Sequence, residues 1–381
     1  MPTAFHVRAL ESVVRIELED SLSPDEQVLI ADQWSDLRLT DVDATAASVL
    51  RARVGDPSVQ PESRDGIRFL TAGSAEELAD VIASAVTLTG IGDLAGEALM
   101  LHAAAVARPD GGVIGFVGPS GRGKTTAALE LGRSFDYVTD ETLAVRPDGT
   151  VIPFPKPLSI GERPAHKRLG NAASLGLRSA TGDSLRLEAI VLLDRRPGFE
   201  RPVVEWIPLT EALEDLVPQT SYLAAMTRPL RTLVDLVTST GGIRRVTYSE
   251  ASTLATVVDE IVALRDDVDS VLLDVSNESQ RDCDCARGRE ETPGLDGTYR
   301  RTKHSDALMV DDRLIVLRPN EVTVLDGVGP VVWLAASDST DDELREAALN
   351  ELPPPPPGVD PAEVVAAAVR QLVSAELLAK R

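Results

Sequence analysis

The chain has 381 residues, a formal net charge of −23 and only 3% aromatic residues. At roughly 150 residues per domain, that length carries two or three domains, each able to bury a conventional core. So strong an acidic excess excludes a broad surface for nucleic acid or anionic lipid, because such binding needs a clustered positive field. The N-terminus, Met1-Pro2-Thr3-Ala4-Phe5-His6, has no basic segment followed by an apolar run, and nowhere do about 18 uninterrupted apolar residues occur. A soluble cytoplasmic protein is expected. The only cysteines, Cys283 and Cys285, are one residue apart and cannot staple a fold, and none of His6, His102, His166 and His304 stands at metal-motif spacing from them.

In chain order, Val14, Ile16 and Leu18 alternate with Arg15, Glu17 and Glu19, which predicts a strand with one apolar face. Further strands are expected over 37–42, 49–54 and 67–70, with a helix opening near Ser23-Pro24-Asp25-Glu26. Residues 1–72 read as a small N-terminal α/β lobe in which no chemistry is recognisable. A helix then starts at Ser74, with Glu77 completing a capping box, and Leu78, Val81, Ile82 and Val86 follow at helical spacing. Strands over 99–107 and 113–117 flank the turn Pro109-Asp110-Gly111-Gly112. Strand and helix alternate to about residue 275, ending in a helix with Leu254, Val257, Val258, Ile261 and Leu264 on one face. These features outline a second domain over 73–276.

Residues 277–301 are polar, rich in glycine and nearly free of aliphatic side chains, and read as a flexible linker. The remainder, 302–381, is expected to contain strands over 307–317 and 322–325, the segment Val331-Val332-Trp333-Leu334, and two helices. The helix starts are signed by Thr340 with Glu343 and by Asp360-Pro361 with Glu363. Between the helices, Pro353 to Pro357 reads as a stiff polyproline II spacer.

Gly118-Pro119-Ser120-Gly121-Arg122-Gly123-Lys124-Thr125 matches G-x-x-x-x-G-K-[ST] in full, after a predicted strand and before a predicted helix. Its glycines allow backbone N–H groups to turn onto phosphate oxygens, the helix N-terminus adds a positive field, Lys124 bridges the β- and γ-phosphates, and the Thr125 hydroxyl ligates Mg²⁺. The phosphate-binding set is therefore Gly118, Ser120, Gly121, Arg122, Gly123, Lys124, Thr125 and Thr126, with ATP and Mg²⁺ as cofactors. Two acidic candidates compete to complete the site: Asp140-Glu141, after Tyr137-Val138-Thr139, and Asp194, which ends the apolar run 189–193. Spacing alone favours Asp194.

Leu101-His102-Ala103-Ala104-Ala105-Val106, then the P-loop, then Tyr137-Val138-Thr139-Asp140-Glu141 together resemble the HPr kinase/phosphorylase superfamily over roughly residues 99–160. The resemblance implies a core akin to PEP carboxykinase, with Asp140 as catalytic base, Glu141 as a metal or positioning acid, and His102 on the nucleophile side or behind it. It thereby selects Asp140 over Asp194. Two features depart from the family: Asp140-Glu141 stands where two aspartates are usual, and a Glu-Ile-Arg-Gly segment is absent. A basic island of Lys156, Arg163, Lys167 and Arg168 begins in the loop Pro153-Phe154-Pro155-Lys156-Pro157-Leu158-Ser159, which resembles one in HPr-kinase-like proteins of peptide-biosynthesis clusters. Lys156 is expected to reach a phosphate or the acceptor.

The order Leu314-Ile315-Val316-Leu317-Arg318-Pro319, Val324-Leu325-Asp326-Gly327, Val332-Trp333-Leu334 and two helices ending at Leu377-Leu378 resembles PqqD-like domains. This resemblance implies a winged-helix-like module that holds the leader of a ribosomally made precursor peptide by strand addition. The expectation is an α/β ATP-dependent kinase acting on a serine or threonine of such a peptide. Alternatives are an HPr-type regulatory protein serine kinase and a non-catalytic, nucleotide-gated peptide-delivery protein. The expected partner is the precursor peptide, with neither nucleic acid nor membrane, and homo-oligomerisation is left open.

Overall fold

The computed structural model describes residues 3–40, 48–59, 66–119, 121–161, 168–182, 184–265, 271–275, 297–319, 321–353, 356 and 358–381. Within these residues the chain is mixed α/β. Contacts divide it into two compact units: residues 1–209, 219–226 and 235–267 form the first, and 210–218, 227–234 and 268–381 the second. Among the described residues, no helix is long and apolar enough to cross a membrane.

The first unit opens with β1 (Thr3–Ala9), β2 (Ser12–Leu18), α1 (Pro24–Gln33), β3 (Arg38–Leu39), β4 (Ser48–Val54), β5 (Ile67–Ala72) and α2 (Ala75–Asp93). The strands form a sheet in the order β3-β1-β2-β4-β5, antiparallel between β1 and β2 and parallel from β2 to β5. The alternation at Val14, Ile16 and Leu18 puts all three in the core, as period-two patterning requires. Strand 37–42 is shorter than expected: Leu37 ends a 3₁₀ turn, β3 holds two residues, and 41–47 lie outside the described part. At the start of α2, Ser74 accepts from the Glu77 N–H, but the Glu77 carboxylate takes the Gly73 N–H, so the box is only half formed. Gly90 lets α2 approach β1 closely, since a Cβ there would stand 2.7 Å from the Ala9 carbonyl oxygen. The core under this sheet continues through Leu78, Ile82 and Val86 to Met100, Ala144 and Phe154, so residues 1–72 share one core with the segment that follows.

That segment comprises β6 (Leu99–Ala107), β7 (Gly112–Val117), α3 (Lys124–Gly132), β8 (Asp136–Thr139), β9 (Thr142–Val145), β10 (Val151–Ile152), β11 (Leu158–Ile160), β12 (Arg168–Gly170), β13 (Arg186–Arg195) and β14 (Val203–Ile207). After α4 (Leu209–Leu216), which belongs to the second unit from residue 210 onward, come β15 (Thr220–Ser221), α5 (Pro229–Ser239), of which only 235–239 belong to the first unit, β16 (Ile243–Tyr248) and α6 (Val258–Ala263). The second sheet runs β10-β9-β6-β7-β13-β16-β14, with β8 and β15 also on β6. Its centre, β7, β13 and β16, is parallel and largely buried, which explains the apolar runs 113–117 and 189–193 of β7 and β13. β16 departs from that pattern with Arg244 and Arg245, of which Arg244 is buried. The expected helix around 254–264 is a 3₁₀ stretch over 251–257 followed by the short α6, although Leu254, Val257, Val258 and Ile261 are all buried.

The second unit contains β17 (Leu272–Asp274), β18 (Tyr299–Arg301), β19 (Asp306–Val310), β20 (Arg313–Arg318), β21 (Glu321–Leu325), α7 (Gly329–Ala335), β22 (Ser337–Ser339), α8 (Asp341–Glu351), α9 (Pro361–Ser374) and β23 (Leu378–Lys380). One sheet is ordered β17-β19-β20-β21 and another β22-β18-β23, with a shared core around Trp333, Leu344, Val369 and Leu372. The strand expected over 307–317 is a hairpin, because Asp311 takes a left-handed conformation (φ 55°) and turns the chain. The last helix stops at Ser374, and Leu378 begins a strand instead of ending a helix. Residues 299–301, expected in the linker, form the central strand β18. The rest of that linker through residue 296, with Cys283 and Cys285, and prolines 354, 355 and 357 lie outside the described residues. Segments 210–218 and 227–234 also group with this unit, where the Leu230 N–H donates to the Asp306 carboxylate at 3.1 Å.

Candidate functional site

β7 delivers the chain to the P-loop between its neighbours β6 and β13, and α3 begins at Lys124. Gly121 and Gly123 have φ of 83° and 91°, conformations that L side chains avoid, so these two glycines of the motif are required by the backbone path. Gly123 is the N-cap of α3 and supplies no side chain to its first N–H groups, which leaves the positive end of the helix open to an anion. From the end of β16, the Tyr248 hydroxyl donates to the Arg122 carbonyl at 3.1 Å and fixes the loop from below. Lys124 is only 7% exposed, and its Nζ donates to the carbonyls of Gly118 (2.6 Å) and Pro119 (3.1 Å). Burial pushes its ammonium down to about 8, against the pull of the Asp140 and Glu141 carboxylates.

The acid pair sits in the turn between β8 and β9, where β6 changes partner from one strand to the other. Thr139 Oγ1 accepts from the N–H groups of Glu141 and Thr142, and the Ala103 N–H donates to the Glu141 carbonyl, so the turn is tied at both ends. The Thr125 hydroxyl donates to Asp140 Oδ2 at 3.0 Å, which joins the P-loop threonine to the acid. Lys156 Nζ lies 3.1 Å from Asp140 Oδ1 and 3.1 Å from Glu141 Oε2. Although burial opposes its charge, these two carboxylates outweigh it and hold Lys156 well above the usual lysine range. His102 on β6 is lowered by burial and by Lys124, with Glu141 and Asp140 opposing, and its ring is neutral at neutral pH.

These groups line one cavity of about 560 Å³. Its walls include His102, Gly121, Gly123, Lys124, Thr125, Thr126, Asp140, Glu141 and Lys156, which brings together most of the residues singled out from the sequence. Gly118 and Arg122 contribute through their carbonyls, as acceptors for Lys124 and Tyr248. Ser120, Arg163 and Lys167 lie outside the described residues. Asp194 is not among the cavity-lining residues, and its carboxylate pairs with Arg196 at 2.7 Å. No family model and no curated protein matches the chain.

Sequence reasoning overlooked four contributors. Tyr137 and Tyr248 support the site from within the sheet, and Asp80 and Ser84 on α2 reach the cavity from the N-terminal part of the unit. Only the position of Tyr137 three residues before Asp140 could have flagged one of them. Among the described residues no group of three His, Cys, Asp or Glu side chains forms a cation cage. The Thr125 hydroxyl and the Glu141 carboxylate beside a phosphate-type loop nonetheless fit Mg²⁺, which takes few protein oxygens and completes its shell with water and phosphate.

Proposed function

We propose that the protein is an ATP-dependent kinase that phosphorylates a serine or threonine hydroxyl of a ribosomally synthesised precursor peptide, with the leader held by the C-terminal unit. The observation that carries the reading is the 3.0 Å contact between the Thr125 hydroxyl of a complete P-loop and Asp140, inside a cavity that also holds Lys124. Magnesium ATP, when bound, supplies an activated phosphoryl group whose charge is partly neutralised by the metal. Thr125 and Glu141 are the residues that would hold the metal. When nucleotide is bound, Lys124 would exchange the loop carbonyls for phosphate oxygens, and the N–H groups at the start of α3 would hold the same anion. Asp140 accepts the proton of the acceptor hydroxyl, a task suited to a carboxylate fixed at the edge of a cavity. His102, neutral and beside the pair, borders the acceptor side.

In the second unit, β21 is an edge strand with partly exposed Val322, Thr323, Val324 and Leu325, the kind of edge to which an extended peptide can add. The test is to incubate the protein with Mg-ATP and its precursor peptide and measure the peptide's mass. One added phosphoryl group on a serine or threonine, lost with Lys124→Ala, supports the reading. ATP binding without any mass change would replace it with a delivery function.

A further inference from the structure

The Asp140 carboxylate is held on both oxygens. Thr125 donates to Oδ2, while the Tyr137 hydroxyl lies 3.2 Å and Lys156 Nζ 3.1 Å from Oδ1. The Tyr137 side chain is fully buried, and its hydroxyl also lies 3.2 Å from the Lys156 carbonyl oxygen. Burial, with Asp140 beside it, pushes the phenol well above its ordinary range, so it remains a donor. Lys156 is 4% exposed, and its backbone is set by Pro153, Pro155 and Pro157 and by the Phe154 N–H donating to the Val138 carbonyl. Its ammonium is thus committed to two carboxylates that would otherwise repel each other.

We propose that Tyr137 and Lys156 form a buried clamp whose role in catalysis is to position Asp140, with Lys156 serving the acid pair in place of a phosphate. The proposal rests on the kinase reading for its kinetic consequence and on the geometry alone for the clamp itself. Without the phenol proton, Asp140 Oδ1 and the Lys156 carbonyl compete for what remains, and the carboxylate gains rotamer freedom. Without the ammonium, Asp140 and Glu141 face each other uncompensated.

The experiment measures phosphorylation of the precursor peptide and Mg-ATP affinity for Tyr137→Phe and Lys156→Met, alone and combined with Asp140→Asn. Tyr137→Phe should lower kcat about 10-fold and Lys156→Met about 100-fold, with ATP affinity held within about twofold, because the lost contacts act on the base. In the Asp140→Asn background both effects should vanish, a non-additivity that a merely structural role would not produce. Weakened ATP binding by Lys156→Met at unchanged kcat would overturn the proposal and return Lys156 to the phosphate. Should Lys156→Met fail to fold, Tyr137→Phe carries the same test. If the wild type transfers no phosphate, the kinase reading fails, and the clamp is judged by ¹⁵N NMR of the lysine ammonium groups. A slowly exchanging Lys156 signal that shifts in Tyr137→Phe supports it, and the absence of that signal overturns it.

Discussion

Burial lowers the Lys124 ammonium to about 8, and bound phosphates would raise it again. Above pH 8 the free protein carries Lys124 increasingly unprotonated, so ATP binding is coupled to uptake of a proton by Lys124. Affinity is therefore expected to fall as pH rises from about 8 towards the ordinary lysine value of 10.5, and calorimetry in buffers of different ionisation enthalpy should register the proton uptake. Lys124→Met should bind weakly at every pH and show no such slope. Turnover in Lys124→Ala should drop at least about 100-fold while the thermal transition stays in place, because the ammonium contacts loop carbonyls, would move to phosphate when nucleotide binds, and adds nothing to the apolar core. At this scale the P-loop was legible, since its glycines answer a backbone demand visible in a string of eight residues. Tyr248 was not, because its contact with the loop joins positions 126 residues apart.

The helix α2 illustrates how an element's sequence carries two opposite demands. Gly90 and Gly92 both lie inside it, and helix propensity alone would make alanine better at each by about 1 kcal/mol. At Gly90, however, the added Cβ would meet the Ala9 carbonyl oxygen at 2.7 Å, a backbone atom that cannot swing aside. Gly90→Ala should therefore destabilise by about 2 kcal/mol despite its propensity gain. Gly92 has nothing within 4 Å of the same position, and Gly92→Ala should stabilise by up to about 1 kcal/mol. Urea unfolding of the two variants checks both signs. Helix starts were readable wherever a cap was complete, as at Thr340 with Glu343. Three features were not readable: the Asp311 turn inside an apolar run, the conversion of 251–257 to 3₁₀, and the redirection of Glu77 to Gly73, each decided by backbone geometry that periodicity does not encode.

For the whole molecule, sequence order suggested successive domains, whereas contacts gather 210–218 and 227–234 with the C-terminal residues, a grouping that no local pattern announces. The leader-holding role proposed for that unit makes a specific demand on β21. Of the neighbours Val322 and Thr323, one turns its N–H to β20 and the other to the free edge. Proline at the edge-facing position removes a docking N–H and should weaken binding of the full-length precursor, while phosphorylation of a leaderless core peptide by the same variant stays within about twofold. Fluorescence anisotropy with a labelled precursor reads the first effect and steady-state kinetics the second. The central claim is that phosphoryl transfer occurs in the cavity that joins the P-loop to Asp140, away from Asp194. Single-turnover transfer of labelled terminal phosphate from ATP to the precursor, compared between Asp140→Asn and Asp194→Asn, tests it most directly. Asp140→Asn should lose at least about 1,000-fold in the transfer rate with ATP still bound, and Asp194→Asn, which breaks only the pairing with Arg196, should stay within about threefold of the wild type. Transfer that survives in Asp140→Asn and fails in Asp194→Asn would contradict the account.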